Sequence, residues 1–227
     1  DKLPNKSHHG WKFIALGPDG KLYIPVGAPC NVCESEQPFA SILQLDLETK
    51  QTTIVAQGVR NSVGFDFHPQ TGELWFTDNG RDMMGDDLPD DELNRVSKKG
   101  QHFGFPYIHN TGIADTDFTN PKIAKLNTPP VLGMEFYQGN QFPATYKHSI
   151  LIAQHGSWNR TNKVGYRIMQ VALEGNKVID YKPFATGWLD AEDSWGRPVD
   201  VMTLTDGSIL ISDDFANAVY RISYTKQ

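Results

Sequence analysis

A turn that releases the chain into a short apolar run recurs four times in this sequence, and three of the copies carry glycine in the turn. That recurrence restricts the possible folds more than any other feature. Gly17-Pro-Asp-Gly-Lys-Leu-Tyr-Ile-Pro-Val-Gly27, His68-Pro-Gln-Thr-Gly-Glu-Leu-Trp-Phe-Thr-Asp-Asn-Gly80 and Thr205-Asp-Gly-Ser-Ile-Leu-Ile-Ser-Asp-Asp214 share one grammar, and Pro143-Ala-Thr-Tyr-Lys-His-Ser-Ile-Leu-Ile-Ala-Gln-His-Gly156 is a looser copy. Each copy follows a short apolar strand: Phe13–Leu16, Val63–Phe67, Val131–Met134 and Val199–Met202. Two copies lead into a further strand (Ser41–Leu47 and Tyr166–Leu173) and a closing one (Gln51–Val55 and Val178–Tyr181). Units of four strands bounded by turns, spaced at roughly 50 to 75 residues, point to the blades of a β-propeller. No segment of useful length carries the helical period. A β-sandwich also alternates short strands, but it does not require an Asp-Gly turn before each apolar run. The expectation is an all-β chain forming a single propeller domain over residues 1–227, with about four blades present. The fourth unit ends at Ser223–Gln227 without an outermost strand. Open edges are a liability, so N-terminal blades are expected to be missing or to reside on another chain or segment.

At 227 residues with 20 glycines and 14 prolines, the composition suits a turn-rich β-protein large enough to need no staples. The formal net charge of −6 argues against nucleic acid, whose binders need a basic stripe. No apolar run reaches bilayer length. The opening residues Asp1–His9 lack a signal-peptide pattern and read as the middle of a longer chain. Two cysteines, Cys30 and Cys33, lack the second pair a zinc site needs and the βαβ context of a thioredoxin motif. A local disulfide pinning a loop is the favoured reading, and it implies an oxidising, periplasmic or secreted location.

Candidate chemistry sits at the junctions between units. His8-His9 precedes the first strand, where a neutral imidazole is a natural general base. Arg60-Asn61 and Trp195-Gly-Arg197 stand just before inner strands, so Arg60 and Arg197 occupy equivalent places. The loop Asp78–Asp91 offers hard oxygen ligands suited to Ca²⁺, although its spacing is not that of an EF-hand. His155-Gly-Ser-Trp-Asn-Arg160 adds an indole and another guanidinium. Arginines converging in an acidic protein repel one another unless an anion lies between them. The residues therefore predict a channel for a polyanionic ligand accompanied by a divalent cation.

These residues together resemble the glucose/sorbosone dehydrogenase family, most of all its sorbosone or pyranose dehydrogenase-like branch. The resemblance rests on His9 with the Gly17 turn, Arg60-Asn61, Asp78-Asn-Gly-Arg-Asp82 with Asp91-Glu-Leu-Asn94, His155–Arg160, and Gly196-Arg-Pro-Val-Asp-Val201. The family consists of six-bladed propellers using pyrroloquinoline quinone (PQQ) and Ca²⁺. This chain matches roughly the last four blades. The resemblance implies that His9, or His8 if the register slips, takes the substrate hydroxyl proton while hydride passes to the quinone. It implies that Arg60 stabilises charge on the reduced quinone and that Asn61 donates to it. Arg197 and either Arg160 or Lys163 would meet cofactor carboxylates, and Trp158 would stack nearby. The main-chain carbonyls of Gly80 and Arg81 would bind Ca²⁺, with Glu92 on a second, structural Ca²⁺. The implied partners are a sugar or aldehyde substrate and an electron acceptor, a quinone or a cytochrome.

One departure stands out. The soluble glucose dehydrogenase branch places an acid after the Val-Gly of the first copy to orient the catalytic histidine, and here that position is Ala28. The orienting group must come from elsewhere or be lost. The competing expectation is a propeller without redox chemistry, serving as a binding module or as a Ca²⁺-dependent lactonase-like hydrolase.

Overall fold

Antiparallel pairing brings the start of one strand beside the end of the next, and this relationship organises the whole molecule. The structure, a computed structural model, describes residues 3–109, 124–125 and 130–225. Its first sheet is a meander of β1 (Ala15–Leu16), β2 (Leu22–Val26), β3 (Ser41–Leu45) and β4 (Thr52–Gln57). The turn between β1 and β2 closes by a bond from Gly20 N–H to the Gly17 carbonyl at 2.9 Å, with Gly20 at φ 73°. That left-handed conformation is open to glycine at no steric cost.

The second sheet begins with β5 (Gly64–Phe67), β6 (Leu74–Asp78) and β7 (Glu92–Arg95). The chain then returns to the first sheet, where β8 (Gln101–His102) pairs in parallel with β4, before β9 (Ala124–Lys125) pairs with β7. The third sheet is β10 (Val131–Phe136), β11 (Ile150–Gln154), β12 (Arg167–Glu174) and β13 (Lys177–Ala185). A short ribbon, β14 (Leu189–Asp190) with β15 (Asp193–Ser194), leads to the fourth sheet: β16 (Pro198–Thr203), β17 (Ile209–Asp213) and β18 (Ala218–Ile222). Apart from one 3₁₀ turn at Ala144–Tyr146, the regular structure among the described residues is all strand.

Three apolar layers separate these sheets. Ile42 and Val55 of the first meet Phe65 and Phe76 of the second. Trp75 and Leu93 of the second meet Phe136 and Ile152 of the third. Leu151 and Ile168 of the third meet Val201 and Ile211 of the fourth. A sandwich encloses one core between two sheets, so three cores among four sheets rule that alternative out. Burying each such Ile or Phe contributes roughly 1.5–3 kcal/mol.

The first strands of the second, third and fourth sheets lie against one another. A Cβ on Gly64 would stand 2.1 Å from the Leu132 carbonyl oxygen, and one on Gly133 would stand 1.9 Å from Asp200 Oδ1. Glycine is therefore required at both contacts. Carboxylates lace the same strands together. The penultimate residue of β5, Asp66, accepts the N–H of the last residue of β10, Phe136, at 2.8 Å. The penultimate residue of β10, Glu135, accepts the N–H of the last residue of β16, Thr203, at 2.9 and 3.1 Å. The corresponding residue of β16 is Met202, which is 52% exposed.

Candidate active site

Gly64 pairs with Thr77 and Pro198 with Asp213, so the residue just before a first strand meets the residue just after a second one. Pro130 accordingly faces His155 and Arg197 faces Asp214, while Arg60-Asn61, a little further from its strand, is bonded to Asp78-Asn79. A cavity of about 300 Å³ opens at this end of the sheets. Its walls include His9, Arg60, Asn61, Arg81, His155 and Arg197.

His9 is anchored by main chain. Its Nδ1 lies 2.8 Å from the Ala28 carbonyl oxygen. A carbonyl can only accept, so Nδ1 carries the proton and, in the neutral ring, Nε2 is left as the acceptor. Ala28 N–H in turn donates to the Arg60 carbonyl at 2.8 Å. The group that orients His9 is thus the peptide of the alanine that stands where the related branch has an acid. Gly27 makes room for this arrangement, because a Cβ there would come within 2.5 Å of His9 Cβ. Burial, reinforced by the positive charge of Arg60 and by His8, pushes the His9 pKa down to about 4. His8 packs edge-on against His9, with ring centroids 4.1 Å apart, and is not part of the cavity wall.

Arg60 is buried, and each of its three side-chain nitrogens has a partner. Its Nε donates to the Asn31 carbonyl (2.9 Å), Nη1 to the Asn79 carbonyl (3.2 Å), and Nη2 to both Asn31 Oδ1 (2.8 Å) and Asp82 Oδ2 (2.9 Å). Burial lowers its pKa and the charges of Asp82 and Asp78 oppose that shift. Two further carboxylates hold the backbone. Asp78 accepts the N–H groups of Arg60 (2.9 Å) and Asn61 (2.7 Å), and Asp91 accepts those of Gly80 (2.7 Å) and Val131 (3.2 Å). Burial pushes both pKa values up. Asn79 closes the corner by donating its N–H and side-chain amide to the Asn61 carbonyl at 3.2 and 3.0 Å.

In the loop from Asp78 to Asp91, expected to offer oxygen ligands, two of the carboxylates hold main chain. Asp78 and Asp91 spend both oxygens on main-chain donors. Among the described residues no group of three or more His, Cys, Asp or Glu side chains is placed to hold a metal ion. A cation here would rest on main-chain oxygens. Gly80 and Arg81 lie on the cavity wall and, together with Glu92, border a smaller cavity as well; Glu92 accepts from Asn94 Nδ2 at 3.1 Å.

The expected arginines do share one cavity wall, and part of the anionic charge between them is the protein's own. Asp82 balances Arg60, and Asp87 receives Arg160 Nη2 at 2.9 Å, so the acidic loop itself answers two of the cations. Arg160 also donates to the Asp86 carbonyl, strapping the 156–161 loop to the 83–89 loop. Lys163 lies outside the cavity, its Nζ donating to the Glu192 carbonyl at 2.6 Å. What remains is Arg81 and Arg197, each with a buried Nε that has no partner. Arg197 Nη2 donates to His155 Nδ1 (3.0 Å), and His155 Nε2–H donates to Asp214 (2.9 Å). Trp158, 62% exposed, stands on the cavity wall. Asn31, Asp82, Asp214 and the orienting role of Ala28 were not legible in the sequence. Their contacts cross 19 to 59 positions of sequence, and two of the acceptors are peptide oxygens. The bond joining Cys30 and Cys33 is formed, as the local-disulfide reading expected.

The model of the glucose/sorbosone dehydrogenase family matches residues 43–219. The chain belongs to that family. An uncharacterized protein of Borreliella burgdorferi is 42% identical over 98% of this chain, and the chain spans 62% of that relative's length. Among solved structures, a Trichoderma reesei carbohydrate-active enzyme of family AA12 superposes with a TM-score of 0.79 at 20% identity, covering 95% of this chain and 68% of the other. The PQQ domain of pyranose dehydrogenase from Coprinopsis cinerea, in its holo form, gives 0.75 at 16%, covering 97% and 71%. The soluble aldose sugar dehydrogenase of Escherichia coli gives 0.67 at 18%, covering 92% and 62%. These likenesses establish a shared fold.

Proposed function

We propose that the four sheets are consecutive blades of a propeller and that the cavity at their end is the active site of a sugar or aldehyde dehydrogenase using PQQ and Ca²⁺. The observation that carries this reading is the placement of His9, a neutral base with Nε2 as acceptor, beside the buried cation Arg60 on one cavity wall. The residues fit an anionic, planar guest. Arg81 and Arg197 stand on the cavity wall, where their guanidinium groups would answer a carboxylate of that guest. Asn61 and Arg60 would line the same guest, Trp158 would offer an apolar face, and the carbonyls of Gly80 and Arg81 would hold the cation.

When bound, the quinone supplies the acceptor for a hydride and Ca²⁺ polarises it. The chain's own part is proton handling and orientation. His9 Nε2 receives the proton of the substrate hydroxyl, and the Ala28 carbonyl keeps the ring turned so that this nitrogen stays unprotonated. Arg60, fixed by its hydrogen bonds to Asn31, Asn79 and Asp82, supplies positive potential where negative charge accumulates. The disulfide supports a periplasmic or secreted setting, and a quinone or cytochrome would take the electrons onward.

The test is to load the full-length protein with PQQ and Ca²⁺ and follow dye reduction with aldoses and aldehydes. Turnover is expected, and His9→Asn should lower kcat about 10²–10⁴-fold while leaving quinone binding intact. A loaded, folded protein inert toward a broad panel of aldoses and aldehydes would overturn the assignment.

A further inference from the structure

The loop between Cys30 and Cys33 carries two residues, Asn31 and Val32, and the first of them reaches into the site. The Asn31 carbonyl receives Arg60 Nε at 2.9 Å and its Oδ1 receives Arg60 Nη2 at 2.8 Å. The same Oδ1 receives the Asp82 N–H at 2.9 Å, and its Nδ2 donates to the Asp82 carbonyl at 3.2 Å. One amide thus clamps the guanidinium and the segment that bears its counter-charge, across 29 and 51 positions of sequence.

We propose that Asn31 is the positioning residue of this site and that the Cys30–Cys33 disulfide is part of the active-site framework, because it holds Asn31 in register with Arg60 and Asp82. The assignment of Arg60 as the catalytic cation rests on the function proposed above; the clamp itself does not. Asn31 is half-buried and lies on an irregular loop, so its backbone is held by the cross-link, by its own carbonyl's bond to Arg60 and by the packing of Cys30 against Ala28, Ala40 and Phe105 rather than by a strand ladder. The Asn31 main-chain carbonyl is a ligand of Arg60 in its own right. A shift of the loop therefore breaks two of the guanidinium's bonds at once. Two-electron reduction by a dithiol would take up two protons, give two cysteine thiols and convert the dithiol to its own disulfide. The loop would then be free to move and Arg60 would lose both Asn31 contacts.

The decisive experiment reads the cofactor-free, full-length protein, so that its failure is distinct from failure of the functional assignment. Amide hydrogen exchange is followed at Asp82, with Phe76 in the core of β6 as the internal standard. Asn31→Ala, and separately wild type treated with dithiothreitol until its mass rises by two protons per bridge, should each speed exchange at Asp82 about tenfold. Phe76 should be unchanged. Asn31→Asp, which keeps the acceptor for the Asp82 N–H, should retain most of the protection. If Asn31→Ala does not fold, the reduced wild type decides the matter alone. Unchanged exchange at Asp82 after verified reduction would overturn the proposal, as would loss of protection at Phe76 to the same extent, which would mark general loosening. In the loaded enzyme, displacement of Arg60 should cost about 10²-fold in kcat with KM for substrate little altered.

Discussion

The Ala28 carbonyl accepts the Nδ1 proton of His9 at 2.8 Å, so a peptide does here what a carboxylate side chain is expected to do. The difference is electrostatic. A carboxylate would bring a full negative charge to the imidazole and raise its pKa, whereas a peptide dipole orients the ring without making it markedly more basic. His9 accordingly keeps a pKa of about 4, with burial the main cause.

The first prediction concerns acid tolerance. The base must be neutral to work, so the ascending limb of kcat/KM against pH should fall near 4, far below the 6.5 of an ordinary histidine. Removing Arg60, the second cause of the depression, should move that limb upward, as Arg60→Met would show. The stability consequence has a definite sign. Between pH 6.5 and 4 the unfolded chain protonates this residue while the folded chain does not. The stability it contributes is therefore present above 6.5 and lost as pH falls through 4. Thermal melts of wild type and His9→Gln across this window would reveal the difference.

The second concerns the His155 relay. Arg197 donates into Nδ1, so His155 must stay neutral with its proton on Nε2, facing Asp214. Burial lowers the His155 pKa and keeps it in that form, against the opposing pull of Asp214. His155→Phe leaves Arg197 without its acceptor and should weaken quinone binding about tenfold, the equivalent of ~1.4 kcal/mol. Fluorescence titration with the free quinone measures it.

The third concerns Asp78. Both its oxygens accept main-chain N–H groups, from the two residues that present the site's cation and amide. Asp78→Ala orphans two buried donors and should destabilise the protein by about 2–5 kcal/mol. Asp78→Asn replaces one acceptor by an amide donor and should cost roughly half as much. Denaturant unfolding distinguishes the two variants.

The fourth concerns close packing. Gly133→Ala would force a methyl group to within 1.9 Å of Asp200 Oδ1 and 2.7 Å of its Cα. The third and fourth sheets would have to separate, at a cost of about 1–3 kcal/mol or more. Gly175→Ala, at a glycine with nothing within 4 Å of a built Cβ, tests by contrast the left-handed φ of 58° alone. Its expected cost is about 1 kcal/mol.

Much of the fold was legible because each Gly-turn precedes a run whose side chains are mostly buried, as in Leu22–Val26 and Leu74–Asp78. The strand Glu92–Arg95 was not, because its polar residues mask the pattern: Asn94 is fully buried and reads as loop. The strand Ala218–Ile222 alternates half-buried with exposed and carries Arg221, so it also escaped notice. Parallel pairing of β8 with β4 follows from a return crossing that no local signal announces. At the site, His9, Arg60, Asn61 and Arg197 could be picked out because they are chemically distinctive and stand at unit junctions. The groups that aim them could not. The Ala28 and Asn31 carbonyls have no residue-type signature, and the carboxylates of Asp78 and Asp91 read as metal ligands until their N–H donors are seen.

The links from Asp66 to Phe136 and from Glu135 to Thr203 run in one direction, each sheet offering its acid to the sheet that follows. Dependence in this molecule therefore has a polarity. Peeling away the fourth sheet would take the Thr203 donor from Glu135, whereas fraying at the first sheet robs neither acid of its donor. Unravelling from the C-terminal end should thus propagate backward through the sheets, and the Thr203 amide is the latch whose opening would begin it.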